Sequence, residues 1–364
     1  VFSQVYTLTP PMDYPAPKIP LSPVLSGHGL QWAGNSSNSA SSHSILANPN
    51  LVQVTSGRAA IALALEHSGI SAGDEVLIPA YHCESMVSPT LWRQAKPVFY
   101  KINMDTTVDI EDIKNKLTAN TKAIIVTHYF GFIQDMPPLV KLCEQRNLIL
   151  IEDCAHSFFG QKDGKHVGSW GDYAIASSMK FFPVYDGGII SSSKKNIRPI
   201  ELETPSIFFQ TKSPLNVIQA AIRYKRLGVA GDILKHLTNI AEGAWHFVKR
   251  ITGRGKAGID GPSSSGGGYG LDENWIHTRA SYFSKFVIKH QRQTRIIRER
   301  KKNYQKLHEA LHALPHSRPL FDHLPEGIVP LVFPLYVEKP EQYFNNLKKA
   351  GVPIWRFGEF LDEA

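Results

Sequence analysis

The residue most able to do covalent chemistry in this sequence is Lys180, within SSMKFFPVYDGG (177–188). It follows an apolar run, sits among apolar residues and has Ser177 and Ser178 beside it. A lysine partly removed from water has a lowered pKa and can form a Schiff base with a carbonyl. The bland alternative is a surface lysine at a strand end, the safer reading of any single lysine. Asp186-Gly187-Gly188 then reads as a tight turn into the next strand. A second feature, LILIEDCAH (148–156), ends an apolar run on Glu152 and Asp153. Carboxylates there would stand at the C-terminal edge of a strand, where α/β proteins bind ligands. One of them could pair with a protonated pyridine nitrogen and keep it cationic. From these residues alone a metal-binding acidic pair competes. The third feature is VTSGRAAIALAL (54–65), where Ser56-Gly57 opens an alanine-rich helix. Free N–H groups and the positive end of the helix dipole suit an anion; taken alone, Ser56 as an ordinary N-cap is the better reading. Asp153 precedes Lys180 by 27 residues, about one strand–helix–strand step, so both can reach one sheet edge.

These residues need a scaffold, and the pattern from Val52 to about Ser193 supplies one. Short β-branched-rich runs recur at 75–80, 97–102, 123–128, 148–153, 173–178 and 187–192. They are apolar on both phases, as in strands buried on both faces. Amphipathic stretches such as Gly57–Ser68 and Asp135–Arg146 separate the earlier ones. This alternation predicts an α/β fold with a mostly parallel sheet between helices.

Outside that block the chain is organised more loosely. Residues 1–50 read as an extended arm with a serine-rich loop around Asn35–Ser44. The large domain spans 51–250, with a helical insertion near 215–250. A flexible Gly/Ser-rich loop covers 251–275; its GPSSSGGGYG (261–270) lacks the Gly-Lys-Ser/Thr ending of a phosphate loop. Residues 276–364 read as a long basic helix and a small C-terminal α+β domain. In that helix Phe283, Val287, His290, Thr294, Ile297, Tyr304, Leu307 and Leu311 mark an inward face. Nine Lys/Arg and one Glu between Lys285 and Lys306 read as a solvated face. No recognition motif accompanies them, so a nucleic-acid partner is not expected.

With 364 residues and 42% hydrophobic content the chain can bury a large core. The net charge of +8 suits acidic or phosphorylated ligands. Three scattered cysteines (Cys83, Cys143, Cys154) make neither a disulfide framework nor a zinc site, and the expected compartment is a reducing cytoplasm. No run approaches 18 uninterrupted apolar residues, so no membrane partner is expected. The chain begins with Val1, so an initiator Met is missing from it.

Taken in order, SGRAAIALAL, GDEVLIPAY, KPVFYKIN, TKAIIVTHYFG, QDM (134–136), LILIEDCAHSFFG, VGSWGDYAIASS and K-x-x-P-x-x-DGG resemble the DegT/StrS family. Members are pyridoxal-phosphate (PLP) aminotransferases of fold-type I that aminate nucleotide-linked keto-sugars. The resemblance is strong over roughly 50–195 and weak elsewhere. It implies that Lys180 holds pyridoxal 5′-phosphate as a Schiff base and moves a proton between the substrate carbon and the cofactor's C4′ carbon. Asp153 would pair with the pyridine nitrogen, and His156, where the family usually has Gln, would lie near the phenolic oxygen. Gly57 and Arg58, with Ser56 at the turn, would meet the phosphate through N–H groups, and Ser177 or Ser178 would add a hydroxyl. The family's lysine is kept here; its dehydratases carry His instead, which favours transamination.

Several positions depart from the family. Where it has a stacking Phe or Trp this chain has Cys83, which leaves Tyr81 or His82 to stack. The family's Asn-Tyr-Arg, whose Asn reaches the partner subunit's phosphate, is matched best by His277-Thr278-Arg279, without the Asn. Arg279, and Arg223 with Lys225 and Arg226, are candidate substrate contacts. The resemblance further implies a homodimer, an amino-acid donor (glutamate in most members) and a keto-sugar nucleotide acceptor. The alternatives are a dehydratase, an aminotransferase for a non-sugar ketone, and a catalytically idle regulatory or binding relative.

Overall fold

A computed structural model describes residues 14–27, 29, 43–194, 197, 200–229, 231, 234 and 271–357. The expected loop at 261–270, the stretch 241–250 and most of the serine-rich loop at 35–44 lie outside the described residues.

Seven strands form the central sheet: β1 (Asn50–Val54), β2 (Glu75–Pro79), β3 (Lys96–Tyr100), β4 (Thr121–Thr127), β5 (Ile149–Asp153), β8 (Tyr173–Ser177) and β9 (Gly188–Ser192). Their spatial order is β1-β9-β8-β5-β4-β2-β3. From β8 to β3 every pairing is parallel, while β9 runs antiparallel to both β8 and β1. The expected mostly parallel sheet is therefore present. Strands β2, β8 and β9 are buried along their whole length, which is why their sequences are apolar on both phases. A two-residue hairpin, β6 (Gln161–Lys162) with β7 (Lys165–His166), decorates the connection from β5 to β8.

Helices α1 (Gly57–His67), α2 (Glu84–Trp92), α3 (Ile110–Lys116) and α4 (Met136–Arg146) connect the strands. In α1 every residue from Ala59 to Leu65 is buried. It packs on β8, β9 and α2, and its four alanines allow that close approach on several sides. Ser56 caps it, its hydroxyl accepting from the Ala59 N–H at 3.2 Å.

Past the sheet, α5 (Ile207–Arg223) begins earlier than the expected insertion at 215. The basic helix expected over 283–311 is two helices, α6 (Tyr282–His290) and α7 (Gln293–Leu311). The break falls at Gln291–Arg292, where the Arg292 N–H leaves the helical pattern and donates to the Gly29 carbonyl at 3.1 Å. The hydrophobic periodicity crosses this break, so it reported one helix where the backbone makes two. Val287 and Tyr304 are buried as the pattern requires, but Leu307 is exposed. A small β10 (Ser317–Pro319)/β11 (Leu335–Val337) hairpin and α8 (Pro340–Lys349) complete the described chain.

Candidate active site

Alternation along β5 separates its two terminal carboxylates, because successive strand residues face opposite sides of a sheet. Glu152 is held in the core. One oxygen accepts from the Gly171 N–H at 2.7 Å and from the Trp170 N–H. The other accepts from the Gly168 N–H at 2.8 Å and meets His128 Nε2 at 3.1 Å. His128 Nδ1 accepts from the Gln134 N–H, so its Nε2 carries the proton toward Glu152. Glu152, His128 and the buried Cys154 cluster as metal ligands could, but the carboxylate and both ring nitrogens already have hydrogen-bond partners. The acidic pair is thus no shared metal site.

Asp153 takes the other side and lines a cavity of about 960 Å³. It is nearly inaccessible, and its carboxylate accepts from the Ala155 N–H at 2.8 Å and, weakly, from the Thr127 hydroxyl at 3.4 Å. Burial raises its pKa, opposed by the Ala155 N–H and by the charge of Lys180.

Lys180 lines the same cavity. It closes a short 3-10 turn, Ser178–Lys180, directly after β8. Removal from water lowers its pKa; the positive charge of Arg58 acts in the same direction, and Asp153 pulls the other way. This is the state a nucleophilic amine requires.

The N-terminus of α1 reaches the cavity through Gly57 and Arg58. Ser177 is beside them: a Cβ on Gly57 would lie 3.5 Å from the Ser177 Cβ. Strand β9 fixes this corner, since a Cβ on Gly188 would fall 2.0 Å from the Ser56 carbonyl oxygen. Only glycine allows the strand and the helix turn to meet so closely. Of the two candidate serines, Ser177 lines the cavity, whereas Ser178 is wholly buried against Gly187. Ser56 spends its hydroxyl on the helix cap.

His156 also lines the cavity, stacked on Phe130 (centroids 6.0 Å apart, planes at 17°) and edge-on to Phe357. Its Nδ1 is buried without a hydrogen-bond partner among the described residues. Burial and the neighbouring Lys180 charge hold its pKa well below the ordinary imidazole value. Phe130 adopts φ +59°, uncommon for a bulky residue and a mark of local strain at the cavity wall.

Other expected contacts are placed elsewhere. Tyr81 does not line the cavity; it packs on Tyr129 and Phe357 and donates to the Phe357 carbonyl at 3.2 Å. His82 is turned into the core, stacked on Phe99 at 4.7 Å. Cys83, the next residue, lines the cavity instead. The chain reverses direction into α2 here, which alternation along β2 cannot foresee. Arg279 is exposed and donates to the Leu202 carbonyl at 3.1 Å, and Arg223 lies at the end of α5, outside the cavity lining. The arginines that do line the cavity are Arg58, Arg295 and Arg300. The last two were hidden in the basic run of α7, with no local signal to separate them from the solvated ones. Residues Pro20–Ser26 also line the cavity, a contribution invisible in their composition.

This mostly parallel seven-stranded sheet, flanked by helices, has the fold-type I architecture of PLP-dependent transferases. Residues 43–201 match the DegT/DnrJ/EryC1/StrS aminotransferase family. It is 36% identical over 147 residues to the GDP-perosamine synthase of Escherichia coli O157:H7, covering 40% of each chain. It is also 36% identical over 121 residues to the L-glutamine:2-deoxy-scyllo-inosose aminotransferase of Streptomyces kanamyceticus, covering 33% of this chain and 28% of that one. The chain thus matches less than half the length of these curated relatives. Among solved structures, a putative sugar aminotransferase from Streptococcus pneumoniae in its PLP form superimposes with a TM-score of 0.55 at 18% identity. That likeness covers 89% of this chain and 77% of the other, and it shows the shared fold.

Proposed function

We propose that this protein is a PLP-dependent aminotransferase that moves an amino group from an amino acid to a keto-sugar, with a nucleotide-linked sugar as the favoured acceptor. The observation that carries the proposal is that Lys180 and Asp153 line one cavity together with the Gly57–Arg58 turn and Ser177. The residues present fit the cofactor. Asp153 would hold the pyridine nitrogen, the α1 N-terminus and Ser177 would hold the phosphate, and the unpartnered His156 Nδ1 would stand near the ring. When bound, PLP supplies an electron sink for the carbon that loses its proton.

The chain's own residues do the rest. Lys180, its pKa lowered by burial, would hold the cofactor and would carry a proton to and from the substrate carbon. Asp153, kept from water, would face the ring nitrogen and favour its protonated form. Phe130, backed by His156, offers an aromatic wall where Tyr81 and His82 do not. The cavity volume of about 960 Å³ lies within the range for a cofactor with a small-molecule substrate. The net charge of +8 suits a pyrophosphate-bearing acceptor, and the relatives' names, a GDP-sugar enzyme and an inosose aminotransferase, point to cyclic polyol ketones. We further propose that the working form is a homodimer.

The test is an absorbance spectrum of the purified protein with PLP, before and after borohydride. A band near ~410–430 nm that borohydride traps, absent in Lys180→Ala, supports the lysine's role. Its decay on adding glutamate or glutamine supports transamination. Trapping with no decay on any amino donor would favour an idle relative, and no band at all would overturn the proposal.

A further inference from the structure

Arg300 is a half-buried cation at the cavity wall with no carboxylate partner among the described residues. Burial lowers its pKa to about 10, so it stays protonated at neutral pH. An unpaired buried charge is costly unless hydrogen bonds replace its water. Here three backbone carbonyls do so. Nη2 donates to the carbonyl of Lys180 at 2.6 Å, and Nη1 donates to Leu331 at 2.8 Å and, more weakly, to Pro330 at 3.4 Å. The guanidinium also lies 4.4 Å over the ring of Phe181, the residue after the lysine.

Each anchor leads to the cavity. Leu331, whose carbonyl receives Arg300, donates its own N–H to the Phe130 carbonyl at 2.7 Å. Phe130 is the strained aromatic of the cavity wall. The neighbouring Gly131 permits the approach, because a Cβ there would lie 2.4 Å from the Val329 carbonyl oxygen. Arg300 therefore joins three separate pieces of chain: the lysine turn after β8, the 330–331 segment and helix α7. Two of the three lie outside the family-matched residues 43–201.

We infer that Arg300 is a positioning residue for Lys180, its guanidinium clamping the lysine's backbone so that the amine is held in the desolvated cavity rather than swinging toward water. The inference rests on the role proposed above for Lys180. A planar fork is needed, because a lysine ammonium is a single point that cannot span carbonyls on two segments and also lie flat on a ring. Without the clamp, the short turn Ser178–Lys180 keeps its own bonds from the Phe181 and Phe182 N–H groups to the Ser178 carbonyl but loses its tether to α7.

The experiment uses the full chain as wild type, Arg300→Met, Arg300→Lys and Tyr304→Ala. Tyr304 is buried one turn further along α7 and serves as a packing control with no tie to Lys180. Lys180 is modified by two aldehydes separately: PLP followed by borohydride, and formaldehyde with cyanoborohydride. In each reaction the amine adds to the carbonyl with loss of water, and hydride then fixes the C–N bond. The modified fraction of the Lys180 peptide is read by mass spectrometry across pH, alongside the melting temperature. Arg300→Met is expected to raise the midpoint of the Lys180 formaldehyde profile by about one pH unit or more and to slow PLP capture at least about fivefold. Arg300→Lys should recover part of both, and Tyr304→Ala should lose melting temperature with neither change. Superimposable profiles for wild type and Arg300→Met, or an equal shift in Tyr304→Ala, would overturn the inference. If Arg300→Met does not fold, Arg300→Lys carries the comparison, and an unshifted profile there overturns it as well. Wild type that captures no PLP while the formaldehyde profile still shifts would sink the proposed function and leave this inference standing.

Discussion

Glu152 and Asp153 are adjacent on β5, and their carboxylates belong to opposite sides of the sheet. Glu152 accepts three backbone N–H groups of the 168–171 turn and faces His128 Nε2, whereas Asp153 lines the cavity that Lys180 shares. The pair therefore separates a carboxylate satisfied within the core from one presented to the cavity. Glu152→Gln must turn its NH₂ toward two N–H donors and leave them without an acceptor. It is expected to cost roughly 2–4 kcal/mol of stability, read in urea denaturation. Asp153→Asn should cost far less in the same measurement yet lower amino transfer by about 10²-fold or more, as loss of an electrostatic partner at a reacting centre does. Equal stability losses for the two would contradict the division.

Lys180 gives a pH signature. Its folded pKa lies below its unfolded value, so between the two the unfolded chain binds more protons and stability rises with pH. At neutral pH, well below the ordinary lysine value, the cofactor-free protein carries the cost of keeping this amine from water. Lys180→Met should therefore melt higher than cofactor-free wild type at pH 7, by about 2–4 °C for each kcal/mol relieved. The gap should narrow as pH climbs toward the ordinary lysine value. Calorimetry of both proteins between about pH 7 and 10 checks this, and a gap that widens with pH would be the wrong sign.

Asp186 is a second buried carboxylate with a purely architectural role. It accepts from the hydroxyls of Ser213, Ser281 and Ser284 and from the Ser281 N–H, all at 2.7–2.8 Å. This ties the turn after the lysine loop to α5 and α6. Asp186→Ala would strand four donors in the core, and a loss of about 3–5 kcal/mol is expected in chemical denaturation. A loss under about 1 kcal/mol would show that water or repacking satisfies them.

Gly188→Ala tests the corner where the phosphate contacts are proposed. The added methyl would meet the Ser56 carbonyl at 2.0 Å, so β9 and the start of α1 must part. Affinity for PLP is expected to fall at least about tenfold in a fluorescence titration. Gly73→Ala, where the added Cβ meets nothing, should change melting slightly through its positive φ but leave that affinity intact.

Much of what lines the cavity was legible in the sequence, for definite reasons. Strands buried on both faces must be apolar on both phases, so the runs around β2, β4, β5, β8 and β9 announced a covered parallel sheet. A lysine after one strand and an acid at the end of another then had only one edge to share. Ser56-Gly57 before an alanine-rich run fixed the start of α1, since cap and helix are local events. The division between Glu152 and Asp153 was open in the sequence, although strand alternation contains the answer once β5 is known. What only the tertiary structure decided depends on contacts between distant segments. Whether Tyr81, His82 or Cys83 faces the cavity is set by how the chain turns from β2 into α2. Ser177 lines the cavity and Ser178 does not because Gly187 packs on the latter. Arg295 and Arg300 stand out from a basic run because α7 docks one face on the lysine turn, and charge patterning carries no record of what a helix packs against. Local propensity and period fix elements and their order; which side chain points into a cavity built from several distant stretches of chain is a property of their packing alone.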